Sequence, residues 1–235
     1  MDSNKKVLGI IGGMGPLATA DLFHKIILWT EASTDSEHIH VLIDNNPKIP
    51  DRTEAVINGN NEPLEFMVES AQRLEQMGAD ILTMPCNTSH VFYKSLCESI
   101  KVPIINMIDE VAKQLSTTNL RKAGLLATDG TLYGRLYENA LDKYNIEVIH
   151  PSKDGQKETM QMIYKGVKAC VDQYDTASIK HELSDMMDRG AQTFILGCTE
   201  LPVAFQKYNV DFPSVDPTVI LAKAAIKQAG YVVKK

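Results

Sequence analysis

Basic excess is the first thing this sequence lacks. Its 235 residues carry 24 lysines and arginines against 30 aspartates and glutamates, a formal net charge of −6. Nucleic-acid affinity comes mainly from lysine and arginine set against phosphates, so an acidic chain without basic runs argues against a nucleic-acid partner. Long apolar runs are missing as well. The longest early uncharged stretch, Val7–Ala20, falls short of the roughly 20 apolar residues a membrane span needs. Lys5 and Lys6 before it and Ala18-Thr19-Ala20 at its end imitate a secretory signal. Four glycines and Pro16 make it a poor signal helix, and it reads better as a strand and loop. A cytoplasmic protein with no membrane partner is expected.

Cysteine is sparse, with four residues, Cys86, Cys97, Cys170 and Cys198. In a reducing compartment these are thiols. No C-x-x-C or H-x-x-x-H spacing is present and the histidines are scattered, which argues against zinc. No G-x-S-x-G turn offers a serine nucleophile. What is present is ordinary globular composition, 44% hydrophobic and 23% charged, enough for a real core. The length suits one large domain or two small ones.

Apolar strand-like runs alternate with amphipathic helical stretches. Strands are expected at Lys6–Ile11, His38–Asp44, Ala79–Met84 and Val102–Asn106, with helices over Leu17–Thr30 and Glu62–Met77. The second half repeats the course, with strands at Ala123–Thr128, Ile146–His150 and Gln192–Gly197. Helices are expected over Leu132–Tyr144, Lys157–Tyr174, Ile179–Asp188 and Thr218–Ala229. Strands separated by helices imply parallel sheets flanked by helices, an α/β fold.

The halves match residue by residue. "GADILTMPCNT" from Gly78 and "GAQTFILGCTE" from Gly190 align at an offset of 112. Gly9 and Gly15 match Gly124 and Gly130 at 115, and "VPIINMIDEVAK" matches "FPSVDPTVILAK" at 110. These correspondences point to two similar domains from an internal duplication, 1–102 and 103–213, with the C-terminal helical segment 214–235 joining the first. Ligands of open parallel sheets sit beyond the carboxyl ends of the strands, so the active site is expected in a cleft between the domains.

Cys86 follows one strand and Cys198 its repeat, each just before a helical stretch. A helix N-terminus favours thiolate and lowers the pKa. Inverting a carbon centre through a planar carbanion needs a base on one face and an acid on the other, and two matched thiols supply both. Backbone amides after each cysteine would hold a carboxylate and stabilise developing charge. Cys97 and Cys170, inside expected helices, read as small buried hydrophobes. His90 reads as a helix-face residue with no catalytic part.

"IIGGMGPLATA", "MPCNTSH" and "LGCTELP" together resemble the aspartate/glutamate racemase family over the whole chain. The resemblance implies a racemase without pyridoxal phosphate, metal or nucleotide, commonly a homodimer, with Cys86 and Cys198 as its two bases. By the same analogy Cys86 serves the D-enantiomer and Cys198 the L-enantiomer. "PKIPDRTEA" and "IYKGVKA" resemble the aspartate branch, placing Arg52 and Lys168 on the substrate side-chain carboxylate. Read without the family, both are solvated surface charges. Asn87, Thr88, Thr199 and Glu200 resemble the family's substrate contacts, and Met14 and Thr131 its pocket residues. L- and D-aspartate are the expected substrates, with glutamate or a broader acidic range as the alternative.

Three other readings compete. Gly13-x-Gly15-x-x-Ala18 with Asp44 imitates a dinucleotide fingerprint, but Pro16 sits in the turn that would hold a pyrophosphate. A non-catalytic dicarboxylate binder would need the cations but not two thiols. A hydantoin racemase, a maleate isomerase or a one-cysteine decarboxylase would use the same scaffold.

Overall fold

The computed structural model describes residues 5–235. Two all-parallel sheets carry the fold. The first contains β1 (Leu8–Gly12), β2 (Val41–Asn45) and β3 (Ile81–Thr83), in the order β2-β1-β3. The second contains β4 (Lys122–Ala127), β5 (Glu147–Ile149), β6 (Phe194–Gly197) and β7 (Ser214–Val215), in the order β5-β4-β6-β7. Every residue of β1, β3 and β6 is buried. Such unbroken apolar strands are what a parallel sheet covered on both faces requires.

The sheets repeat one another in detail. Gly9 of β1 pairs with Leu82 of β3, and Gly124 of β4 pairs with Phe194 of β6. A Cβ on Gly9 would lie 2.4 Å from Leu82 Cδ2, and one on Gly124 2.5 Å from Phe194 Cδ1. Each large side chain therefore occupies the space that the neighbouring glycine leaves. The expected strand Val102–Asn106 is reduced to a single parallel bridge, Leu82↔Ile104, whose counterpart in the second sheet is the β6–β7 pairing at Phe194↔Ser214.

The chain divides into two compact units. One comprises the described residues up to Val111 together with Thr218–Lys235, and the other is Ala112–Pro217. The division falls inside the helix Met107–Ser116, nine residues beyond the boundary expected from the repeat. The Ile104 bridge and the burial of Ile105 and Met107 in the first unit's core keep this stretch with the first sheet. The C-terminal helix Pro217–Gln228 packs Leu221, Ala222, Ala225 and Ile226 into that same core, beside Leu8, Ile10, Leu22 and Ile26.

Several local expectations are corrected. The helix foreseen over Leu132–Tyr144 is two, Asp129–Tyr133 and Leu136–Asp142. Arg135 between them is left-handed at φ 49°, a conformation that no α-helix continues through. The helix foreseen over Lys157–Tyr174 starts earlier, at Lys153, where the Ser152 hydroxyl accepts the Gly155 amide. It then widens to a π-helical turn over Met162–Val167 and ends. Cys170 consequently lies outside any helix; it is exposed, in a turn, at φ 56°, and is not a core residue. Cys97 is half-buried in the helix Tyr93–Glu98. Among the described residues no helix is long and apolar enough to cross a membrane.

Candidate active site

In the first unit the site residues gather beyond the carboxyl ends of β1 and β3. Cys86 leaves β3 after Met84 and Pro85, its amide donating to Met84 O at 2.9 Å. A 3-10 turn, Thr88–Phe92, begins two residues later. Cys86 is buried and shares an apolar cluster with Met14, from the loop after β1. The Ser89 hydroxyl donates to Met14 Sδ at 3.2 Å, tying the two loops together. Asn87 and Thr88 are buried in the same turn.

Arg52 opens the short helix Arg52–Ile57, whose N-cap Asp51 accepts the Glu54 amide. Its guanidinium is not a solvated surface charge. The residue is 8% exposed, and Nη1 donates to Ile49 O at 3.1 Å and Pro50 O at 2.9 Å. Positive charge is thereby held inside the first unit. Asp44, which the dinucleotide reading would place on a ribose, accepts from Arg73 Nε and Nη2 at 3.2 and 2.9 Å. Gly13 N, in the glycine-rich turn, donates to Thr19 Oγ1 at 2.9 Å.

In the second unit Cys198 follows β6 directly and precedes the helix Glu200–Lys207. Its carbonyl accepts the Leu201 amide at 2.9 Å. The thiol donates to Glu200 Oε2 at 2.9 Å, and the Thr199 hydroxyl donates to the same oxygen at 3.3 Å. Cys198, Thr199 and Glu200 are all buried. The expected lowering of this thiol's pKa is reversed. Burial pushes it well above the ordinary thiol value, and the Glu200 carboxylate beside it pushes further. The Glu200 amide and the Lys168 ammonium act the other way but do not prevail.

Lys168 follows the π-helical turn, on the exposed side of the unit, with Nζ 4.2 Å from the centre of the Tyr164 ring. Its effect on Cys198 puts that ammonium in the thiol's electrostatic neighbourhood. Thr131 is fully buried in the first turn of Asp129–Tyr133, its amide capped by Thr128. Thus Met14, Arg52, Cys86, Asn87 and Thr88 belong to the first unit, and Thr131, Lys168, Cys198, Thr199 and Glu200 to the second.

Two further residues stand against the cysteines. Tyr137 is fully buried within electrostatic reach of Cys198 and Asp216, and burial raises its phenol pKa. No periodicity in the sequence distinguishes it from a core aromatic. His90 stands beside Cys86 and is 5% exposed, not on a solvated helix face. Its position four residues after the cysteine was the available clue, because one helical turn brings a side chain back to the Cys86 carbonyl.

Two buried thiols, each after a fully buried parallel strand and each followed by a helical turn, are groups able to move protons. Several known proteins resemble this chain. A broad-specificity amino-acid racemase of Bacillus subtilis, RacX, is 27% identical over 224 residues, covering 94% of this chain and 96% of that one. A glutamate racemase of Persephonella marina is 27% identical over 143 residues, covering 60% of this chain and 53% of its own length. Among solved structures, an aspartate racemase of Picrophilus torridus superposes with a TM-score of 0.82 at 33% identity, over 98% of this chain and 96% of that one. The Francisella tularensis glutamate racemase bound to D-glutamate shares the fold, with a TM-score of 0.70 at 20% identity over 95% of this chain and 80% of that one. The pattern of the Asp/Glu/Hydantoin racemase family matches residues 11–225, and the chain belongs to that family.

Proposed function

We propose that the protein racemises aspartate by two-base proton transfer between Cys86 and Cys198, without a cofactor. The observation that carries this reading is the matched pair of buried free thiols after β3 and β6, at equivalent places in two like sheets. Aspartate is preferred over other amino acids because positive charge is available on both units, buried at Arg52 and exposed at Lys168. Arginine binds a carboxylate bidentately. The backbone amides after each cysteine receive the α-carboxylate.

One thiolate takes the α-proton, the electron pair delocalises into the carboxylate, and the opposite thiol returns a proton to the other face. The enzyme then holds its proton on the other sulfur, and the reverse reaction restores it. Glu200, a substrate contact by the family resemblance, also contributes beside Cys198, where its Oε2 accepts from the thiol. With the thiol already donating to Glu200 Oε2 at 2.9 Å, the same contact offers the proton a destination when Cys198 must act as the base. Until then Cys198 is held as the acid.

Cys86→Ser and Cys198→Ser should each abolish interconversion of L- and D-aspartate in a chiral assay. Unchanged turnover in either variant would defeat the assignment. Running glutamate and alanine beside aspartate separates an aspartate enzyme from a broad-specificity one.

A further inference from the structure

We infer that His90 is a positioning residue for the proposed racemisation, holding the Cys86 backbone in place through one fixed tautomer. Its Nδ1 lies 2.8 Å from Cys86 O, and its Nε2 lies 3.1 Å from Met107 N. A backbone N–H only donates, so Nε2 is the acceptor of the Met107 amide. The ring proton therefore sits on Nδ1 and is donated to the Cys86 carbonyl, which only accepts. Both ring nitrogens are spent on backbone, so His90 exchanges no proton with a substrate.

The far end of this link is equally determined. Met107 is the first residue of the helix Met107–Ser116, and its amide has no partner within the helix. The next two amides, of Ile108 and Asp109, donate to Asn106 Oδ1 at 3.0 and 3.1 Å, and that of Glu110 to Asn106 O at 3.0 Å. His90 thus completes the capping of this helix while gripping Cys86. A second fastening runs alongside. The His90 ring stacks on Tyr93 at 5.9 Å and 7°, and the Tyr93 hydroxyl donates to Ile104 O at 2.9 Å. Burial lowers the imidazole pKa to about 4, so the ring stays neutral at ordinary pH and the tautomer persists.

Fixing the carbonyl of Cys86 fixes the peptide plane from which its Sγ projects. Thiol and α-carbon must meet in line for proton transfer, where a misplacement of about 1 Å costs on the order of 100-fold in rate. A histidine that served only the core would not need its donor on the nucleophile's own carbonyl.

The inference rests on Cys86 being a reacting base, and its test is arranged to separate the two claims. In wild-type protein with 15N-labelled histidine, His90 should show a protonated Nδ1 and an unprotonated Nε2 at neutral pH. The opposite tautomer overturns the inference without any mutation. Two variants then split the link. His90→Asn places an amide donor near Nδ1 and keeps the Cys86 bond, while His90→Gln reaches the Met107 amide and loses the Cys86 one. Expected for His90→Gln is a fall in kcat of about 10- to 100-fold with little change in KM, and for His90→Asn a recovery to within about threefold of wild type. The ratio of iodoacetamide alkylation at Cys86 to that at Cys198, read by peptide mass spectrometry, should change in His90→Gln and hold in His90→Asn. Equal losses in both variants with an unchanged alkylation ratio would reduce His90 to a core residue. If wild type racemises no amino acid, the functional reading fails, while the tautomer and the alkylation ratio still decide the role of His90.

Discussion

Lowering the pH from 7 to 5 puts the burial of His90 under direct thermodynamic load. In the folded protein the ring gives up its proton at about 4, against 6.5 for an ordinary histidine, chiefly because burial penalises the charged form. The backbone hydrogen bonds to Cys86 and Asn87 and, least of the three, Asp109 pull the other way without prevailing, and burial raises the stacked Tyr93 phenol, which stays neutral. Between these two values the unfolded chain binds a proton that the folded one refuses, so stability must rise with pH across the window. The contribution is complete above pH 6.5 and is lost as pH falls through 4. From pH 7 to pH 5 the loss is about 2 kcal/mol, with about 3 kcal/mol over the full window. That is a large share of the 5 to 15 kcal/mol that typically holds a folded domain together. Urea denaturation of wild type and His90→Gln at pH 7, 6 and 5 reads the effect as a difference of slopes. Wild type should lose up to about 1.4 kcal/mol more per pH unit than the variant. Parallel pH dependences would refute the reasoning, because other titrating groups are common to both proteins.

The remaining predictions address other parts of the molecule. Glu200→Gln removes a carboxylate that holds the Cys198 thiol up, so the pH profile of Cys198 alkylation should move to lower pH; an unmoved profile would mean the Sγ–Oε2 contact is incidental. Arg52→Ala should raise KM for aspartate at least about tenfold while affecting alanine far less, since a buried charge pair is worth several kcal/mol; equal losses for both amino acids would remove Arg52 from the side-chain carboxylate. Gly13→Ala should destabilise markedly in a thermal melt, because its Cβ would lie 2.3 Å from the Asn46 backbone at φ +94°. Gly59→Ala, at φ +67° with nothing within 4 Å of the added carbon, should cost only about 1 to 2 kcal/mol.

Strands β1, β3, β4 and β6 were legible because burial on both faces writes them as unbroken apolar runs: β3 and β6 lie inside the expected spans, while β1 runs one residue past its span at Gly12 and β4 begins one residue before its span at Lys122. Edge pairing was less so. Ile104 makes one bridge where its apolar neighbours suggested a strand, since pairing depends on a partner that local sequence does not describe. Helix ends failed for backbone reasons. Nothing in "TLYGRLYENA" announces a left-handed Arg135, and nothing in "MIYKGV" announces a π-helical turn. The same loss of helix left Cys170 on the surface.

For the site, the repeat drew attention to Cys86 and Cys198, but not to what surrounds them. Helix position alone argued for a lowered thiol pKa at Cys198. Burial and the adjacent Glu200 carboxylate outweigh it, and desolvation is invisible until the chain is folded. Arg52 looked like a surface charge unless the family was invoked, because its burial follows from the way the loop before it folds back to offer the Ile49 and Pro50 carbonyls.

The most direct test of the two-thiol account is the fate of the α-hydrogen. Purified protein is given L-aspartate in deuterium oxide, and the early products are separated by chirality and weighed. With one sulfur on each face, D-aspartate should carry solvent deuterium at the α-carbon while the L-aspartate recovered with it remains protiated. Deuterium entering L-aspartate as fast as D-aspartate forms would mean that a single base serves both faces, and the pairing of Cys86 with Cys198 would be wrong.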